Sequence, residues 1–434
     1  MFHFKLKYHI KVRIRLINKP LSILHKVWTG NIFRYIFLFS IVMSCSGSAQ
    51  NEDHNKKNKA KIDNVQIELK EKKRAKELNF DENGVIHINV SQKFPTLHLA
   101  IQDIAEIDYI NLNNNNALIE GTISVLTKDK IIGYNFKSGD IFILNKNGQL
   151  INKFNHIGRG SGEYSRINGL TFDDKAGELF INDMQQGKVH VFDINGKHKR
   201  SLPFIEGRFY HEIMFFNEGL VCCDQRPEHP ITFFLVSKMN GSKIKDFQIS
   251  YNKKIASTLH LRIGPGTMAG ATFKYKAALP YRDQIILNEV SSDTIFMTDG
   301  HILKPVASHS PSMPAQDPPG YLLLTLQTSD FTFFRSVINE YNFDTNIGFP
   351  SKEIVFDRVN GKTYFAKLYN EDYETESEFE IESPIIPGVS VKRLNAIELV
   401  EANRNGKLKG ELMEIASTLD ADDNPVLMFM RYKE

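Results

Sequence analysis

Long apolar runs, cysteine and tryptophan are all scarce in this chain. The longest membrane-like run, YIFLFSIVMS at 35–44, is about half the ~20 residues that a spanning helix needs, so it does not read as an ordinary transmembrane segment. The three cysteines are Cys45 and the adjacent pair Cys222-Cys223, a spacing that builds no zinc site. In GLVCCDQ the pair reads as strand, where neighbours point to opposite faces. One is expected to be a buried small hydrophobe and the other to face a neighbouring element or solvent, without a strained vicinal disulfide. No GxSxG elbow is present and no serine stands near a base in a recognisable order. The eleven histidines beyond residue 45 contain neither HxH nor HExxH. The single Trp stands against 31 Phe and 15 Tyr, a choice of aromatics that suits strands.

What the chain does have is repetition. Ile141–Phe204 contains two alternating runs closed by Asn147-Gly148 and Asn195-Gly196, 48 residues apart. Further X-Gly pairs follow at Asn240-Gly241, Asp299-Gly300 and Asn360-Gly361. Asn-Gly and Asp-Gly accept positive φ at little cost and so close hairpins. A period of this length built from strands predicts a β-propeller, whose units cannot bury their own faces and must stack around an axis. Dividing 85–434 by the spacing gives six or seven blades, and six is adopted. The alternating run Ile104–Ile110 is expected to pair with the apolar C-terminal run near Val426–Arg431, closing the ring and removing free edges. The proline-rich stretch Ser308–Gly320 is expected outside the ladders, and acidic Asn370–Glu382 as a surface loop.

The N-terminus has a different character. Residues 1–34 hold eight of the 54 Lys/Arg and none of the 51 Asp/Glu, so removing the leader turns the formal charge from +3 to −5. A mildly acidic mature chain offers no electrostatic case for nucleic-acid binding. A basic start, a short apolar run and a small residue before a cut make a secretory signal over residues 1–44. Residues 45–84 are polar and charge-dense, and read as a tether before a propeller domain at 85–434. Val42-Met43-Ser44-Cys45 resembles a bacterial lipobox. That resemblance implies lipidation of Cys45, and Ser46 in place of Asp implies sorting to the outer membrane, periplasmic or surface-facing.

The segment HIGRGSGEYSRINGLTFDDKAGELFINDMQQGKVHVFDINGK is similar to an NHL-type repeat, and closer to the six-bladed β-propeller lipoproteins of Bacteroidota. Those carry G-x-G-P-G-E-Y at this turn; Gly158, Gly160, Gly162, Glu163 and Tyr164 match, and Ser161 replaces the proline. The resemblance implies the fold and an envelope address, and no activity. From the residues themselves, Glu163 can accept from loop N–H groups and Tyr164 can pack the loop onto a blade. A phosphate-binding reading of the glycines fails because no helix follows them.

Propeller ligands usually sit where loops converge on the channel mouth. The candidate positions are Arg159, Glu163, Tyr164, Arg166 and Asn168, then Tyr210 and His211 beside Glu212, Arg226, Arg262, and Tyr275 with Lys276. Aromatic rings stack on sugars and guanidinium forks pair with acids. The plainer alternative is that each Arg holds loops together through a nearby carboxylate. Asp183 and Asp193 read as turn-capping carboxylates. The expectation is a non-catalytic binding module for a glycan, a peptide or an envelope partner protein, with no catalytic residue and no cofactor. The alternative is a metal-assisted lyase or hydrolase, because one His from each of several blades could hold a divalent metal whatever the spacing.

Overall fold

The computed structural model describes residues 84–433, apart from 115–116 and 376–377. The signal segment, Cys45 and nearly all of the tether lie outside the described residues. Within them, no helix is long and apolar enough to cross a membrane.

Residues from Ile86 onward form a six-bladed β-propeller. Three blades are plain four-stranded meanders: Thr122–Leu126 to Leu150–Asn155, Gly169–Asp173 to His198–Pro203, and Glu212–Phe216 to Lys243–Phe247. We call these blades one to three. Blade four runs from Ala278–Tyr281 to Leu303–Ser310, and blade five from Gly320–Gln327 to Lys362–Tyr369. Each of these gains a fifth, parallel strand from the N-terminus, Ile86–Asn89 on blade four and Thr96–Ala100 on blade five. Blade six joins both ends of the domain: Val389–Leu394 pairs with Val426–Tyr432, which pairs in turn with Ala105–Asn111.

That closure is the one expected from sequence, with Ile110 opposite Leu427 and Ile107 opposite Met430. The X-Gly turns also behave as expected, with φ between +69° and +93° at Gly148, Gly196, Gly241, Gly300 and Gly361. Gly196 is doubly constrained, because a Cβ there would lie 2.7 Å from the Phe154 ring.

Six of the seven hydrophobic clusters each fill one seam between neighbouring blades. Alternation explains why. A blade is buried on both faces, so successive residues of a strand feed successive seams. Cys222 packs toward blade two and Cys223 toward blade four; both are buried free thiols.

The proline-rich stretch is less excluded from the sheets than expected. Ser308–Ser310 stay in the ladder because the parallel N-terminal strand extends the pairing to Asn89 opposite Ser310, and Gly320 already opens blade five. Two helices, Ala396–Arg404 and Gly410–Ala416, interrupt blade six, and a hairpin, Thr258–Gly264 with Thr267–Thr272, projects between blades three and four. Leu399, Leu408 and Leu412 anchor the helical insertion in the seam with blade five.

One blade-edge ion pair carries a pH signature. Both Glu178 carboxylate oxygens accept from Arg200, at 2.8 and 2.7 Å, and Lys199 adds a second cation. These partners hold the carboxyl down from 4.5 to about 2. A lowered folded-state value stabilises above the unfolded value and is lost as pH falls through the folded one. Between pH 6 and pH 3 the native chain is expected to lose roughly 1–2 kcal/mol more stability than Glu178→Gln, allowing for screening by solvent, measured as the difference in urea midpoints.

Candidate ligand site at the channel mouth

The first strand of each of blades one to five lies nearest the axis. Between these strands the channel widens into a cavity of about 730 Å³. Its wall joins distant parts of the chain: Thr122 of blade one, Lys274 to Lys276 before blade four, Leu324 of blade five, and Val391 to Arg393 of blade six. Loops entering the blades surround this end. At the opposite end a smaller cavity of about 350 Å³ is bounded by Phe172, Met214 and Phe216 together with Asn217, Arg282 and Asp283.

Cations outnumber carboxylates around the larger cavity, Lys274, Lys276, Arg335, Lys392 and Arg393 against Glu380 and Glu382. Lys276 reaches Glu212 Oε1 at 3.6 Å, Lys392 reaches Glu382 Oε1 at 3.6 Å, and the Arg393 guanidinium donates to Gly121 O at 3.4 Å. Arg335 is paired with Glu353. Burial pushes the Glu353 carboxyl up more than Arg335 pulls it down, and Glu380 and Glu378 add to the rise. Tyr275 and Asn288 supply a phenol and an amide on the same wall. The volume falls within the roughly 300–1,000 Å³ of small-ligand sites.

The residues singled out from sequence divide into three groups. Tyr164 and Tyr210 are buried and serve the scaffold. The Tyr164 hydroxyl donates to Gly139 O at 2.7 Å and accepts from the His156 N–H at 3.0 Å. Tyr210 repeats the device one blade later, accepting from the Ile205 N–H at 3.1 Å and stacking on Phe204. Glu163 accepts from the Gly160 N–H at 2.8 Å and holds the glycine-rich turn, while Asn168 accepts from the Met184 N–H at 3.0 Å and ties the loop into blade two to the turn that follows Glu178–Asp183.

A second group gathers on Asp224, which is wholly buried. Burial raises its carboxyl, yet bonds from Arg226 and the Phe209 N–H more than offset that and leave it below the usual range. Arg226 also lies over the Phe209 ring, and His211 Nδ1 accepts from the Gln225 N–H at 3.2 Å. Burial lowers the His211 imidazole, which favours its neutral form. Arg226 thus takes the plainer role, holding a loop through a carboxylate. In the third group, Arg159 and Arg166 are exposed on the loop into blade two, and Arg166 lies over Phe136. Arg262 sits on the exposed hairpin.

Of the positions named from sequence, only Tyr275 and Lys276 line the large cavity. Asp183 and Asp193 cap turns: Asp183 accepts from the Ser165, Gln185 and Gln186 N–H groups, and Asp193 from those of Asn195 and Lys197. The acidic stretch is a correction. It is not wholly a surface loop, because Glu380–Glu382 turn inward to line the cavity and Ile381 is buried in the seam between blades five and six. Its charges carried the surface reading, and the apolar Phe379 and Ile381 between them override it.

Among the described residues, no group of three or more His, Cys, Asp or Glu is gathered as metal ligands would be. Spacing gave no signal for Arg335, Lys392 or Arg393, which reach the axis only after the ring closes.

A family model described as "Domain of unknown function (DUF4934)" matches residues 84–431. No curated protein matches the chain. Among solved structures, the chain is similar to a Bacteroides fragilis protein described as exported, at 15% identity with a TM-score of 0.57, covering 78% of this chain and 100% of that one. A Bacteroides vulgatus member of the DUF4221 family aligns at 10% identity with a TM-score of 0.40, covering 76% and 97%. At 15% identity the first likeness concerns the fold alone.

Proposed function

Because the chain belongs to the DUF4934 family, a domain of unknown function, we propose its role from the geometry: a non-catalytic binding module of the cell envelope. It is moored to the outer membrane through lipid on Cys45 and takes a glycan, a peptide or an envelope partner at the mouth of the axial channel. The observation that carries this is the cavity of about 730 Å³, with Lys276, Arg393 and Tyr275 on its wall. Cations with an aromatic partner suit a ligand bearing carboxylates. The basic leader and the exported relative support the address.

The test is retention of the chain without its leader and lipidated cysteine, residues 46–434, on carbohydrate and peptide arrays in the presence of a chelator. Retention is expected, and a double variant, Lys276→Glu with Arg393→Glu, is expected to lose it at least tenfold. No retention overturns the reading. Stoichiometric zinc or calcium in the purified chain, with turnover that a chelator abolishes, would establish the metal-assisted lyase or hydrolase instead.

A further inference from the structure

Around the ring, neighbouring blades cap the backbone that inner strands turn toward the axis. Ser124 Oγ donates to Leu170 O at 2.6 Å, and Thr171 Oγ1 accepts from the Phe215 N–H at 3.0 Å. Glu212 accepts from the Ala277 N–H at 2.9 Å. Asn288 holds both the N–H and the C=O of Leu324, each at 3.0 Å. Unpaired edge groups are costly when buried and adhesive when exposed, so capping is what a closed wheel needs.

Blade six departs from this. The segment before Val389–Leu394 should supply its innermost strand, yet it pairs for its last two residues only. Ile385 N–H donates to Val389 O at 2.9 Å and Val389 N–H to Ile386 O at 3.0 Å, around a Pro387-Gly388 turn with Gly388 at φ +70°. These two bonds set Ile385 and Ile386 together opposite Val389, a bulge that shifts the register, so Pro384 falls opposite Ser390 and the next ladder pair, Ser383 with Val391, is not made. Beyond it the two segments meet through side chains: the Ser390 hydroxyl donates to Glu382 O at 2.6 Å, and Lys392 reaches the Glu382 carboxylate and lies over the Phe379 ring.

Backbone direction alternates along an antiparallel strand. Val389 spends its N–H and C=O on the inner side, whereas the Gly388 C=O accepts from the Tyr432 N–H on the outer side. Val391 and Arg393 therefore turn their N–H and C=O inward with Val389, and Ser390 and Lys392 face Val426–Tyr432. Among the described residues, no hydrogen bond ends on the inward backbone groups of Val391 or Arg393, and both residues line the large cavity.

We infer that this edge accepts an extended peptide carrying acidic side chains, which completes blade six as its missing inner strand. The inference deepens the binding-module reading and rests on it. Main-chain bonds to an open edge supply the grip, and side chains alternating to either side supply the choice. The choice is acidic because five cations, Lys274, Lys276, Arg335, Lys392 and Arg393, border the cavity against two carboxylates, Glu380 and Glu382.

The probe is a fluorescent hexapeptide of alternating Glu and Val, titrated into residues 46–434. It is compared with the same peptide N-methylated at alternate backbone amides and with its Lys/Val counterpart. Binding of the Glu/Val peptide is expected. N-methylation should weaken it about tenfold, the scale of one hydrogen bond, and the Lys peptide should bind more weakly still. Val391→Pro, which removes one inward donor and leaves the outer ladder intact, should weaken it similarly; the peptide-side comparison stands even if that variant misfolds. Equal binding of the methylated peptide, or of the Lys peptide, overturns the inference. Failure of all peptides with a glycan still retained on the array overturns the inference and leaves the binding module standing. Failure of both ligand classes removes both.

Discussion

A chain that starts at Leu112 is expected to lose cooperative unfolding altogether. The residues it lacks are strands in three consecutive blades: Ile86–Asn89 in blade four, Thr96–Ala100 in blade five and Ala105–Asn111 in blade six. The last of these is the clasp. Without it Val426–Tyr432 becomes an open edge, and Met428 and Met430, both fully buried, lose one wall of their seam. Blades do not stand alone, so an opened ring exposes its terminal faces as adhesive edges. The shortened chain should elute as aggregates and show no sharp thermal transition by circular dichroism. A monomer melting within a few degrees of the full chain would contradict the closure.

Phe192→Ala is expected to cost about 3–5 kcal/mol, a large share of the roughly 5–15 kcal/mol that holds a typical domain together. Phe192 is fully buried in the seam between blades one and two. Its ring stacks on His156 at 5.2 Å and meets Tyr164 edge-on at 6.0 Å and His198 at 5.3 Å. Tyr164 and His156 are themselves tied together through backbone, so the seam cannot collapse freely into the vacated space. The urea midpoint should fall with an unchanged m-value. A loss under about 1 kcal/mol would mean that the seam relaxes as readily as a surface site.

Blade construction was legible because it is local. Alternation in Ile104–Ile110 and an apolar C-terminus were enough to pair the two ends, and each X-Gly pair marked a hairpin, while the register came from the structure. The turn-holding roles of Glu163 and Tyr164 could be read from the glycines around them. The helical insertion had signals too, Asn395 and Glu398 at one end and Gly406 at the other, which a reading tuned to strands passes over. The two parallel outer strands carried no such mark. Nothing local tells Ile86–Asn89 that its partner lies at Ala307–Ser310.

Sequence by itself determined the wheel and its clasp, and narrowed the blades to six or seven, because strand period and turn chemistry act over a few residues. Tertiary structure alone decided which side chains meet on the axis. Arg335, Glu380 and Arg393 come from separate stretches with no common spacing, and closure of the ring brings them to one cavity. It also decided that the segment before Val389–Leu394 would leave the inward backbone groups of Val391 and Arg393 facing that cavity, since a ladder breaks off only where the opposite strand bulges away once in place.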